Sequence, residues 1–121
     1  MNKHIVIIRK IDKIVFDSIK NGSKSIETRA ATDKYKKIEV GDILEFKCED
    51  KHLAKEITKI QHFKTIDEMV KTISFKEVMP FVGSIEEMKE VYYSFPDYKE
   101  KIGEYGLLAF SMSKSKPNSL T

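Results

Sequence analysis

The chain has 121 residues, enough for one ordinary domain and too few for two. Its 40% hydrophobic and 34% charged residues exclude collagen-like, low-complexity and membrane-spanning classes, and no apolar run approaches the roughly 18 residues of a membrane helix. A net charge of +3 is too small by itself to point to nucleic acid.

The elements read in chain order as follows. Residues 5–8 (Ile-Val-Ile-Ile) are a β-branched run, the composition of a buried strand. Asp12 caps a helix that continues to Asn21, with Ile14, Val15, Phe16 and Ile19 as its apolar stripe. Asn21-Gly22 stops that helix, because glycine tolerates the left-handed backbone of a helix end. Residues 25–29 (Ser-Ile-Glu-Thr-Arg) alternate polar and apolar, as a half-buried strand does. Residues 31–37 read as a polar loop and Val40-Gly41-Asp42 as a turn. Residues 43–48 form a strand, Glu49-Asp50-Lys51 a hairpin tip, and residues 54–63 a second strand rich in β-formers. Thr65 with Glu68, and Ser84 with Glu87, are capping boxes that open helices over residues 65–73 and 85–93. Pro96 breaks the chain, and residues 106–112 form a closing strand. Strands and helices are segregated, which predicts an α+β fold whose strands make a curved sheet or barrel over residues 1–112. Residues 113–121 are polar, have nothing to bury, and read as a disordered tail.

Charge is unevenly spread. Residues 1–40 carry ten Lys or Arg against five Asp or Glu, and residues 41–112 carry ten against fourteen. Such a field steers an anionic ligand toward one face, although chance clustering of solvated lysines gives the same count. The N-terminus lacks the apolar stretch of a signal peptide, and the single Cys48 has no internal partner, so a cytoplasmic location is expected. His4, His52 and His62 are too widely spaced to form a local metal motif, and no metal or cofactor is expected. Most of the aromatics between Phe75 and Tyr98 are expected in the core, with one or two free to stack on a base.

The chemistry-bearing segment is Gly22-Ser23-Lys24-Ser25-Ile26-Glu27-Thr28-Arg29. On a strand, Ser25, Glu27 and Arg29 share one face, while Ile26 and Thr28 take the other toward the core. Arg29 offers a planar fork of donors for phosphate or carboxylate, Lys24 a movable cation, and Glu27 an acceptor. Alternation alone does not put Lys24 beside Glu27. An ordinary exposed strand with cross-paired charges would carry the same residues. Lys34, Lys36 and Lys37, just after the motif, form a basic loop suited to a nucleic-acid backbone or simply to water.

The segment matches Gly-x-Lys-x-x-Glu-x-Arg at every defined position and resembles the signature of the ASCH domain, of the PUA-like superfamily. The likeness extends over about residues 3–112, through the Val40-Gly41-Asp42-Ile43 turn, the capped helix at Ser84 and the closing strand from Tyr105 to Phe110. It implies a small β-barrel of five or six strands with surrounding helices and a cleft lined by the motif. It also implies binding of RNA or a nucleotide-like ligand through Lys24, Glu27, Arg29, Lys36 and Lys37. A small bacterial branch similar in size hydrolyses acetylcytidine with a Lys-Thr-Glu set. Carried over, its lysine falls on Lys24, its threonine position holds Glu27, and Glu77 is the nearest candidate for its glutamate. An amidohydrolase with catalytic Lys24, Glu27 and Glu77 is thus the alternative expectation.

Overall fold

The computed structural model describes residues 1–114. Its strands are β1 (Lys3–Ile7), β2 (Ile26–Ala30), β3 (Ile43–Cys48), β4 (Lys51–Phe63) and β5 (Leu107–Met112). Its helices are α1 (Lys13–Lys20), α2 (Asp33–Lys36), α3 (Ile66–Thr72), α4 (Phe75–Val78), α5 (Ile85–Ser94) and α6 (Tyr98–Tyr105). The strands make one five-stranded sheet in the order β1-β3-β4-β5-β2, with β1 parallel to β3 and every other neighbour antiparallel.

The curl of the sheet originates in β4. Its first half pairs with β3 and its second half with β5, and the register slips between Ile57 and Lys59. A bulge of this kind adds twist and bend, so β4 turns the corner between the two halves. The result is a half-barrel with helices around it, the α+β, PUA-like architecture expected from the sequence. One core lies under α1, with Phe16, Ile19, Leu44, Phe46 and Phe110. The other lies under α3 to α6, with Ile26, Met69, Val78, Met88 and Tyr92. β5 serves both: Leu108 and Phe110 enter the first core, and Leu107 and Ala109 the second. That double burial explains its unbroken apolar sequence.

Both capping boxes form in their N-cap half: Thr65 and Ser84 accept from the main-chain N–H of Glu68 and Glu87. Several local expectations are corrected. Residues 5–8 are not wholly buried. β1 is an edge strand, and Ile5 and Ile7 are exposed while Val6 and Ile8 are buried. Asp12 precedes α1, but its side chain accepts from Arg9 Nε instead of capping the helix. The loop at residues 31–37 contains the short helix α2, and α4 and α6 are further helices that the sequence reading does not place. Ser113 is tied to β4 through Glu56, and the Lys114 carbonyl accepts from Lys55. The rest of the expected tail, residues 115–121, lies outside the described residues. Among the described residues no helix is long and apolar enough to cross a membrane, and no group of three His, Cys, Asp or Glu could hold a metal ion.

Candidate functional site

β2 is the other edge of the sheet, and its free side forms the floor of a cleft. The main chain of Ser25 and Ala31 bonds to β5, at Met112 N and the Gly106 carbonyl. In an antiparallel ladder the alternate residues face the same way, so the main-chain groups of Ile26, Thr28 and Ala30 point away from the sheet. Three of them are met by side chains. Lys24 Nζ donates to the Ile26 carbonyl at 2.8 Å, Thr28 N–H donates to Glu27 Oε1 at 3.1 Å, and Ala30 N–H donates to the Tyr98 hydroxyl at 2.9 Å. An unpaired edge would otherwise recruit another strand, and these three contacts block that route.

The local sequence brings Lys24 to this place. Gly22, at φ +87°, closes α1 in the left-handed conformation that other residues adopt at a cost. The chain then doubles back: Lys24 N–H donates to the Ser18 carbonyl, and Ser25 N–H to the Glu77 carbonyl. Lys24 therefore enters from before the strand and reaches across it. Its ammonium donates to the Val78 carbonyl at 2.6 Å and lies 3.3 Å from Glu27 Oε1. With the Ile26 carbonyl, these are three acceptors for three ammonium protons. Burial pushes the Lys24 pKa down, and Glu27 opposes the shift.

Glu27 sits between two cations. Arg29 Nη2 donates to its Oε2 at 3.1 Å, opposite the Lys24 side. Burial alone would raise the Glu27 pKa, but Lys24 and Arg29 together hold it below its ordinary value. For Arg29, burial works against the charge, and the adjacent Glu27 more than offsets it, so its pKa lies above the ordinary value. The guanidinium packs over the Tyr35 ring at 5.6 Å. Of its nitrogens only Nη2 has a partner among the described residues, and Nε is buried without one. Thr28 turns its hydroxyl to Tyr92 on the helical side, and burial raises the pKa of that tyrosine.

The cleft holds about 680 Å³. Lys24, Glu27, Thr28 and Arg29 line its floor. Part of its lining runs from the end of β1 into α1, with Ile7, Ile11 and Ile14; another part comes from α6 and the loops on either side of α5, with Tyr98, Phe81 and Phe95. The structure thus brings Lys24, Glu27 and Arg29 together. It leaves the other sequence candidates apart. Lys36 and Lys37 are exposed and do not line the cleft. Glu77 is exposed too, and only its main-chain carbonyl reaches the motif. Two contributors were not singled out from sequence as site residues. Tyr98 caps the edge from α6, and Lys101 lines the cleft from the same helix. No motif marks either residue, and their helix follows the proline break.

No protein-family model matches the chain, and none of the curated proteins does. Solved structures do. The crystal structure of the hypothetical protein PH0355 matches with a TM-score of 0.79 and 30% identity, over 93% of this chain and 98% of that one. The chain belongs to the family of that hypothetical protein. The solution NMR structure of protein PF0455 from Pyrococcus furiosus is similar as well, with a TM-score of 0.74 and 28% identity over 92% of this chain and 96% of that one. The family relationship thus covers nearly the whole chain and brings no activity with it.

Proposed function

We propose that the protein binds RNA or a nucleotide-like ligand in the cleft above Glu27 and Arg29, as a small ASCH-type member of the PUA-like proteins. The observation that carries this reading is the Arg29 guanidinium at the cleft floor. It is oriented by Glu27, backed by Tyr35, and has donors that nothing in the described chain accepts. Because only Nη2 has a partner among the described residues, the guanidinium meets the cleft with donor capacity left for a ligand oxygen or ring nitrogen. Two cations and one carboxylate leave the floor with an excess positive charge, which favours a ligand of anionic or strongly polar character. The apolar walls suit the faces of a base.

The amidohydrolase alternative has no comparable support. The Lys24 donors are all engaged, and the Glu77 carboxylate lies outside the cleft lining. A direct test titrates labelled single-stranded RNA and nucleoside monophosphates into the protein at low and moderate salt. Binding is expected to weaken steeply with salt and to be lost in Arg29→Ala. Binding indifferent to both changes would remove this reading.

A further inference from the structure

We propose that the cleft takes a single nucleotide, with the base against the floor and the phosphate at the mouth against Lys101. This rests on the nucleotide-binding reading above and adds the ligand's size and orientation.

The floor is a mixed surface. Arg29 supplies donors, while Glu27 Oε2 and the outward-facing Thr28 carbonyl supply acceptors. Glu27 Oε1 already accepts from Thr28 N–H and faces the Lys24 ammonium, so Oε2, beside the guanidinium, is the oxygen with room for a further donor. A phosphate brings only acceptors at neutral pH and would meet two oxygens there. A nucleobase edge sets an N–H next to a carbonyl or ring nitrogen, which fits a carboxylate beside an arginine.

The walls continue the match. Ile7, Ile14, Phe81 and Phe95 all line the cleft and give it apolar surface suited to the faces of a ring. A cleft of about 680 Å³ lies within the usual range of small-molecule sites, about 300–1,000 Å³, and suits one nucleotide better than a run of stacked bases.

Two cations stand at the mouth. Arg9 is engaged by Asp12 at 2.8 Å. Lys101 is exposed and lines the cleft from α6; its main-chain N–H is held by the Asp97 carbonyl, while its ammonium has no hydrogen-bond or ion-pair partner among the described residues. It is therefore the cation available to a phosphate that projects from a base bound below.

Calorimetric titration of the full chain tests this with the four nucleoside 5′-monophosphates, their nucleosides, ribose 5-phosphate and a short single-stranded RNA. At low salt, the best nucleotide is expected to bind about tenfold more tightly than its nucleoside, and ribose 5-phosphate far more weakly than either. Lys101→Ala is expected to abolish the margin between nucleotide and nucleoside and to leave nucleoside binding intact. Lys99→Ala, on the same helix but outside the cleft, is expected to preserve that margin. Ribose 5-phosphate binding as tightly as the nucleotide would place the phosphate on the floor and overturn the proposal. A margin that survives Lys101→Ala would overturn it as well. RNA that binds while every mononucleotide fails defeats this inference alone; failure of RNA and mononucleotides together defeats the nucleotide-binding reading too.

Discussion

Lys24 Nζ donates to the Val78 carbonyl at 2.6 Å, and this bond joins the entry of β2 to the end of α4. The two residues lie 54 positions apart. Through that bond the ammonium is fixed between a helix end, the free edge of a strand and the Glu27 carboxylate. Lys24 thereby acts as a structural tie beneath the cleft, in contact with Glu27, which in turn accepts from Arg29.

Replacing Lys24 by Met tests that role. The side chains of Lys24 and Glu27 are 4% and 8% exposed, so this is not a surface pair that water screens. Removing one partner leaves a buried carboxylate with a single cation and strands the Val78 and Ile26 carbonyls. Lys24→Met is expected to lower unfolding stability by about 3–5 kcal/mol, measured by urea denaturation. A loss below about 1 kcal/mol would mean that the ammonium is not structurally required.

Gly106 joins α6 to β5 at φ +79°, and a Cβ there would lie 2.4 Å from the Phe63 carbonyl oxygen. Backbone does not yield as a flexible side chain can. Gly106→Ala is expected to cost more than about 2 kcal/mol, or to prevent folding. Gly103→Ala, three residues earlier and inside α6, makes the contrast. Its Cβ would meet nothing within 4 Å, and the helix would gain about 0.5–1 kcal/mol from the better helix former. Thermal melts of the two variants should move in opposite directions.

Asp42 ties the N-terminal strand to the turn before β3. It accepts from His4 Nε2 at 2.8 Å and from the N–H groups of Asn2 and Glu39. The His4 contact above all, then the two N–H groups, holds its pKa at about 2, below the ordinary 3.8. A depressed carboxylate pKa stabilises the fold above the unfolded value, and that contribution disappears as pH falls through the folded value. Wild-type stability is therefore expected to fall between about pH 4 and pH 2 on this account. Asp42→Asn should be less stable at neutral pH and show a flatter profile in that window, read from urea midpoints. Equal slopes for the two proteins would exclude Asp42 as a source of the acid sensitivity.

Short-range chemistry made much of this protein readable in advance. The helix caps at Thr65 and Ser84, the stop at Gly22, the hairpin of β3 and β4 and the alternation of β2 all depend on residues within a few positions of one another. The elements that were missed have weak local signals. α2 is a single turn with only Tyr35 to pack against the core; α4 has a single turn's worth of residues; α6 restarts after Pro96 through Asp97 in the left-handed conformation. The isoleucines of β1 show a different limit. A β-branched run has the same composition whether the strand is central or at an edge, and only the sheet order left Ile5 and Ile7 in water.

The amino-acid sequence by itself determined which residues alternate along β2, and hence that Glu27 and Arg29 share a face. Only the tertiary structure decided that Lys24 joins them, that Lys36, Lys37 and the Glu77 carboxylate do not, and that Lys101 lines the same cleft. The reason is range. Alternation follows from the geometry of a few consecutive peptide units, whereas a cleft forms where segments distant in the chain, here β1, β2 and the helices after residue 75, pack around a strand edge that has no neighbouring strand.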